Sequence, residues 1–263
     1  MAIKKITLIG AGRVATQLGI CLTQKHKTIV QVYSRNYQSA QELALLTHSE
    51  PTNNISKLNL ESDLYIISVV DDAIAEIAAQ LYLQDKIVVH TSGSVPMNTI
   101  NNVAASYGVF YPLQTFAKDK SINFSSIPIC IEGSNTEIES QLTTLAREIS
   151  NDVRLINSEQ RMLIHIAAVF ANNFSNFMYL MGEEILSNAG VSFDILLPLI
   201  NETVKKTEHS LPHNAQTGPA ARGDEKIIEK HLNMLKSQPE KHEIYKHISK
   251  YILEHFKNTN QHH

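Results

Sequence analysis

The segment Gly10-Ala11-Gly12-Arg13-Val14-Ala15 constrains this chain more than any other stretch. It follows a strand-length run of β-forming residues, Ile3 to Ile9. It opens a helical pattern, Gly12 to Lys25, in which Val14, Leu18 and Leu22 recur every four positions. A strand, Gly-x-Gly-x-x-Ala and a helix in that order make the turn that cradles a dinucleotide pyrophosphate. Gly10 permits the tight turn. Gly12 lets an anion reach the backbone, where helix N–H groups and the helix dipole stabilise its charge. Ala15 is small enough for close helix–strand packing, and Ala11, Arg13 and Val14 complete the expected binding turn. The alternative is a purely structural turn in an α/β fold.

The rest of the first half repeats the alternation. Thr28 to Tyr33 is a strand pattern and Tyr37 to Thr47 a helical one. Leu64 to Val70 is almost wholly apolar, as a strand covered on both faces should be. Asp71 or Asp72 is placed to cap a helix running to about Tyr82, and Lys86 to Thr91 reads as another strand. Strand patterns follow at Val109 to Tyr111, Ile127 to Ile131 and Val153 to Ile156, with a helix at Glu137 to Ile149. The expected fold is α/β: a Rossmann-like, doubly wound parallel sheet followed by an all-α C-terminal domain. The boundary is expected near 157, giving a dinucleotide-binding domain, 1–157, and a helical domain for substrate and dimerisation, 158–263.

The end of the second strand distinguishes the nucleotides. A site preferring NAD places an acid there for the ribose 2′-OH. Here the chain reads Tyr33-Ser34-Arg35-Asn36, without a carboxylate. Arg35 can pair with a 2′-phosphate while Ser34 and Asn36 donate to it, so NADP is expected and NAD less favoured. The turns Ser68-Val69-Val70 and His90-Thr91-Ser92-Gly93-Ser94 follow later strands, at the edge where such folds bind ligands. Ser68, Val69, Val70, His90, Ser92 and Gly93 are therefore expected at the cofactor, with His90 open to an acid–base or a structural role.

The second half reads as helices at 158–188, 193–209, 225–236 and 240–255, with 212–223 as a loop. Ser158 is expected to open the first of these, and Gly190 to stop it. At about 100° per residue, Arg161, His165, Asn172, Asn176 and Glu183 fall within an arc of about 60° on a helix otherwise apolar. The expectation is a buried helix with a polar stripe facing a cleft, which makes His165, Asn172 and Asn176 the catalytic candidates. A solvated stripe is the alternative. Arg222, in the turn Thr217 to Asp224, is a candidate to grip a substrate carboxylate, with Thr217 and Thr115 beside substrate; Asp224 is a natural helix cap.

Composition excludes several other classes. Of 263 residues, 23 are Lys or Arg and 26 Asp or Glu, a net charge of −3 that gives no basic field for nucleic acid or anionic lipid. Cys21 and Cys130 lie in apolar runs and have neither disulfide-framework nor metal-ligand spacing. Met1 to Lys5 carries no signal pattern, and no 18-residue apolar run exists. A cytoplasmic protein without a metal is expected. His262 and His263 end the chain.

Five segments together carry a family resemblance: Gly10 to Ala15; His90 to Ser94; Tyr111-Pro112-Leu113-Gln114-Thr115-Phe116; His165 to Asn173; and Thr217 to Asp224. They resemble a family of NADP oxidoreductases with a Rossmann-like N-terminal domain and a C-terminal helical domain of unknown function. The layout is similar to pyrroline-5-carboxylate reductases, deazaflavin-dependent NADP reductases and β-hydroxyacid dehydrogenases. The resemblance implies a homodimer joined through the helical domain. β-Hydroxyacid dehydrogenases carry a catalytic Lys on the interdomain helix with an Asn one turn later; this chain offers His165 and Asn172 and no Lys. Tyr111 and Thr115 are further residues able to face a nicotinamide. The expected activity is hydride transfer between nicotinamide and a small, carboxylate-bearing carbonyl or imine substrate, with His165 or a water held by Asn172 supplying the proton. A non-catalytic NADP sensor or scaffold is the alternative. A methyltransferase is disfavoured by Arg35 where an acidic ribose ligand belongs.

Overall fold

The computed structural model describes residues 3–116 and 122–259. Met1 and Ala2 at the start, and His262 and His263 at the end, lie outside the described residues. The chain divides into two compact units, 1–170 and 171–263. Residue 157 caps a helix within the first of them. Among the described residues, no helix is long and apolar enough to cross a membrane.

The first unit opens with β1 (Lys5–Ile9), α1 (Arg13–Gln24), β2 (Thr28–Tyr33), α2 (Tyr37–Thr47) and β3 (Glu50–Thr52). It continues with β4 (Leu64–Ile67), α3 (Asp71–Ala78), β5 (Ile87–His90) and β6 (Ser106–Pro112). Last come β7 (Ile129–Gly133), α4 (Thr136–Arg147), β8 (Val153–Leu155) and α5 (Ser158–Ala168). The strands form one sheet in the order β3-β2-β1-β4-β5-β6-β7-β8, parallel except for the antiparallel pair β6–β7. β1 lies between β2 and β4, so successive crossovers leave it in opposite directions. The carboxyl ends of these strands therefore border a crevice, which is where open α/β sheets bind ligands.

Burial on both faces explains the apolar runs. Ile66 of β4 packs with Leu8, Leu18, Val89 and Phe110 on one face. Its neighbours Tyr65 and Ile67 join Ile9, Ile74, Ile77 and Val88 on the other. All four β4 residues are buried. The strand stops at Ile67, short of the expected Val70, because Ser68 to Val70 form the turn into α3. β3 escaped notice in the sequence, being three residues with Pro51 at a sheet edge.

Helix ends also differ from expectation. Neither Asp71 nor Asp72 caps α3: both lie in its first turn, after Val70, and the helix ends at Ala78 rather than near Tyr82. Asp71 instead accepts from the Ser94 hydroxyl. The cap of α5 is Asn157, not Ser158. Its side chain accepts from Gln160 N–H while Gln160 reaches back to the Asn157 N–H, a closed capping box.

The expected continuous helix 158–188 is interrupted. α5 ends at Ala168, a π-helical segment spans Val169–Phe174, and α6 covers Ser175–Ser187. A π turn closes i to i+5, so the spacing that aligned the polar stripe does not hold through it. Nor is the helix buried: α6 has no buried residue, and Phe177, Leu180 and Ile185 are exposed.

The second unit continues with α7 (Leu197–His209), α8 (Pro212–Ala215), α9 (Pro219–Arg222), α10 (Glu225–Met234) and α11 (Pro239–Thr259). The expected 212–223 loop thus holds two single turns, each opened by a proline whose missing N–H costs nothing there. Asp224 caps α10 as the sequence suggested, accepting from Ile227 N–H at 3.3 Å.

Candidate functional site

A cleft of about 700 Å³ runs along the carboxyl ends of β2, β1, β4 and β5, lined entirely by first-unit residues. At its centre lie Gly10, Ala11, Gly12, Arg13 and Val14. Gly10 has φ +124°, and a Cβ there would sit 2.0 Å from the Ser68 carbonyl oxygen, so only glycine fits. Gly12 is the N-cap of α1, and a Cβ on it would meet nothing within 4 Å. That opening lies over a helix start with no side-chain cap and no acid in its first turn. Unsatisfied N–H groups, the positive end of the dipole and open space above them suit a pyrophosphate. The residues present fit a dinucleotide.

One end of the cleft carries Tyr33, Ser34, Arg35, Asn36 and Ser39. Arg35 is exposed there. Asn36 Oδ1 caps α2 by accepting from Ser39 N–H at 3.2 Å, which leaves its amide NH₂ as the group able to donate outward. Ala73, Glu76 and Ile77 of α3, with Gln80 just beyond it, form a wall the sequence reading did not identify. Their i, i+3, i+4, i+7 spacing was visible but indistinguishable from a core stripe.

The other end carries Ser68, Val69, Val70, Asp71, Thr91, Ser92, Gly93 and His165. Thr91 Oγ1 donates to Ser68 Oγ at 3.1 Å and ties the two βα turns together. Ser92 Oγ accepts from Ser94 N–H at 3.1 Å and Val95 N–H at 3.0 Å, shaping the turn after β5. Tyr111 Oη lies 3.4 Å from His165 Nδ1.

His90 does not line the cleft. It is 0% exposed, and its Nδ1 accepts from Ser92 N–H at 3.2 Å, so it supports the turn from beneath. Burial first, and then the Arg161 guanidinium, lower its pKa to about 4. An unfolded histidine titrates near 6.5. Between those values the unfolded chain binds the extra proton. The His90 contribution to stability is therefore fully present above pH 6.5 and is lost as pH falls towards 4, by up to about 3 kcal/mol. Urea midpoints at pH 7 and pH 4 should show this loss, and His90→Asn, which keeps an acceptor for Ser92 N–H, should abolish most of it.

Arg161, expected on the cleft-facing stripe, is instead 1% exposed and paired with Glu132 of β7. It also donates to the Val95 carbonyl at 2.6 Å and Ser158 Oγ at 3.2 Å. Ser158 Oγ donates to Glu132 at 2.8 Å and accepts from Met97 N–H at 3.0 Å. The cluster fastens the 92–97 loop to β7 and the start of α5. It stands behind the site and not in it.

Of the remaining sequence candidates, Thr115 is exposed in the first unit and outside the cleft lining. Asn172, Asn176, Thr217 and Arg222 belong to the second unit, where all four are exposed.

Residues 5–93 match a family model described as NADP oxidoreductase, coenzyme F420-dependent, and 127–252 match one described as a domain of unknown function, DUF2520. A comparison with curated proteins finds no match. Among solved structures, a "putative NADP oxidoreductase" from Bacteroides fragilis shares 43% identity, with TM-score 0.90 over 96% of this chain and 98% of that one. A protein from Thermotoga maritima, at 22% identity and TM-score 0.73, is covered over 99% of its length by 97% of this chain. An imine reductase from Myxococcus stipitatus in complex with NADP+ shares the fold at 15% identity, TM-score 0.68, over 98% and 94% of the two chains. With 43% identity to the Bacteroides protein over nearly the whole length, and two family models in the same order, the chain belongs to that family of NADP oxidoreductases, a Rossmann-like domain followed by a DUF2520 domain.

Proposed function

We propose that the chain is an NADP-dependent oxidoreductase that moves a hydride between nicotinamide and a small carbonyl or imine substrate. One observation carries the reading: a single cleft joins Arg35, the open N-terminus of α1 and His165. When bound, the nicotinamide supplies or takes the hydride. The α1 N-terminus holds the pyrophosphate, and Arg35 with Ser34 and Asn36 holds a 2′-phosphate. Ser68 to Val70, Ser92 and Gly93 form the floor at the far end, and His165 supplies a hydrogen-bonding group there. Asn172 and Asn176 are the sequence-derived choice for further polar contacts, and Arg222 with Thr217 and Thr115 for a substrate carboxylate; the reading does not rest on them.

A homodimer joined through the helical part belongs to the same proposal. Its support is the large apolar side chains exposed on α6 at Phe177, Leu180 and Ile185, the kind of surface a partner face normally covers. Free, buried Cys21 and Cys130 support a reducing, cytoplasmic setting.

Titration with NADPH and NADH, followed by nicotinamide fluorescence, tests the core of the proposal. NADPH should bind more tightly, and Arg35→Ala should weaken NADPH by about tenfold while leaving NADH within about twofold, since the guanidinium pairs only with the 2′-phosphate. Equal losses for both nucleotides would overturn the assignment to Arg35. Failure of both to bind at millimolar concentration would remove the oxidoreductase reading.

A further inference from the structure

Gly93 stands where two side chains from different elements converge. A Cβ at Gly93 would lie 2.8 Å from His165 Nδ1 and 2.8 Å from both Cζ and Oη of Tyr111. The missing side chain is what lets the turn after β5 close on Tyr111 of β6 and His165 of α5. The phenol oxygen and His165 Nδ1 are 3.4 Å apart, and His165 lines the cleft while Tyr111 does not. Burial above all, with Cys130 nearby, pushes the Tyr111 phenol up to about 12, against the opposing pull of Arg161. At neutral pH it is therefore an O–H. The charged groups that act on it are engaged elsewhere: Arg161 with Glu132, and Asp71 with the Ser94 hydroxyl.

We propose that Tyr111 is the positioning residue of this site: its O–H donates to His165 Nδ1, holds the imidazole in the Nε2–H tautomer and turns that N–H towards the cleft. A neutral imidazole carries one proton, so an occupied Nδ1 lone pair places it on Nε2. The use of that N–H rests on the oxidoreductase reading; the Tyr111–His165 contact does not. A site completed in this way offers its substrate an N–H donor and no acceptor at Nε2. It takes a group with a free lone pair, a carbonyl oxygen or neutral imine nitrogen, and offers nothing to a protonated iminium N–H.

Long-range ¹H–¹⁵N correlation spectra of the ¹⁵N-labelled full chain test this, in the absence of nucleotide and above the histidine titration range. The chain has 12 histidines, so the His165 signals are identified by their loss in His165→Gln. Wild type should show a single Nε2–H tautomer at His165, its Nδ1 resonance displaced upfield by the accepted hydrogen bond. Tyr111→Phe keeps the ring and removes the O–H, and should give a mixture of tautomers, drawing the averaged Nδ1 and Nε2 resonances towards each other. Gly93→Ala should do the same by forcing the pair apart. A tautomer mixture or an Nδ1–H form in wild type overturns the proposal without any variant having to fold. Identical His165 spectra in wild type and folded Tyr111→Phe overturn it equally. Failure of NADPH to bind would leave the tautomer result standing and count only against the oxidoreductase reading.

Discussion

Gly10→Ala should cost the fold at least about 3 kcal/mol, whereas Gly12→Ala, two residues on, should cost about 1. The two glycines share a turn and differ in what surrounds them. At Gly10 a methyl group meets the Ser68 carbonyl carbon at 2.7 Å as well as its oxygen, and φ +124° is closed to alanine. Both obstacles are backbone, and β4 behind Ser68 is buried along its whole length, so nothing nearby yields cheaply. At Gly12 the methyl enters open space at ordinary backbone angles, and only the weaker N-capping preference of alanine acts on stability. That open space is the proposed pyrophosphate seat, so Gly12→Ala should lose little stability and most NADPH affinity. Urea unfolding and nucleotide titration of both variants separate the effects. Equal stability losses in the two would sink this account of the turn.

Glu132→Ala should be comparably damaging, by about 3–5 kcal/mol, because it strands the Arg161 guanidinium in the interior. Arg161 is 1% exposed, and its remaining partners, the Val95 carbonyl and Ser158 Oγ, are neutral. Neither can replace a carboxylate for a buried cation. Removing both charges is a different matter, since a buried ion pair often exchanges for apolar groups at little net cost. The double variant Glu132→Leu/Arg161→Met should therefore recover much of what Glu132→Ala loses. Equilibrium unfolding of both single variants and the double closes the cycle. A double variant as unstable as Glu132→Ala would show that the pair acts through hydrogen bonding to the 92–97 loop rather than through charge balance.

Local signals made the first unit readable. The Gly10 to Ala15 turn, the apolar β4 run and the strand–helix alternation each lie within a few residues, and one repeated rule converts them into a parallel sheet. Longer-range features were not readable in the same way. Tyr111 and His165 are 54 residues apart, and Glu132 and Arg161 are 29. Nothing in either neighbourhood marks its partner. Arg161 looked like part of a polar stripe because periodicity reports which residues share a helix face and not what that face meets. The π segment at Val169–Phe174 has no composition of its own, and a stripe counted at constant spacing runs straight through it. The α3 wall was hidden for the opposite reason: Ala73 and Ile77 contribute to the core as well as to the cleft, and one spacing serves both.

The buried Arg161 ties the 92–97 loop to a helix made much later in the chain. The proposed phosphate seat between β1 and α1 draws only on β1, α1 and the turn after β4. The Val95 carbonyl and the Met97 N–H, by contrast, meet Arg161 and Ser158 only when those residues emerge, more than sixty residues later. A chain ending at β8 would hold the residues of the proposed nucleotide seat and lack the partners of the Val95 carbonyl and the Met97 N–H. The last helix of the first unit is thus the latch behind the proposed site.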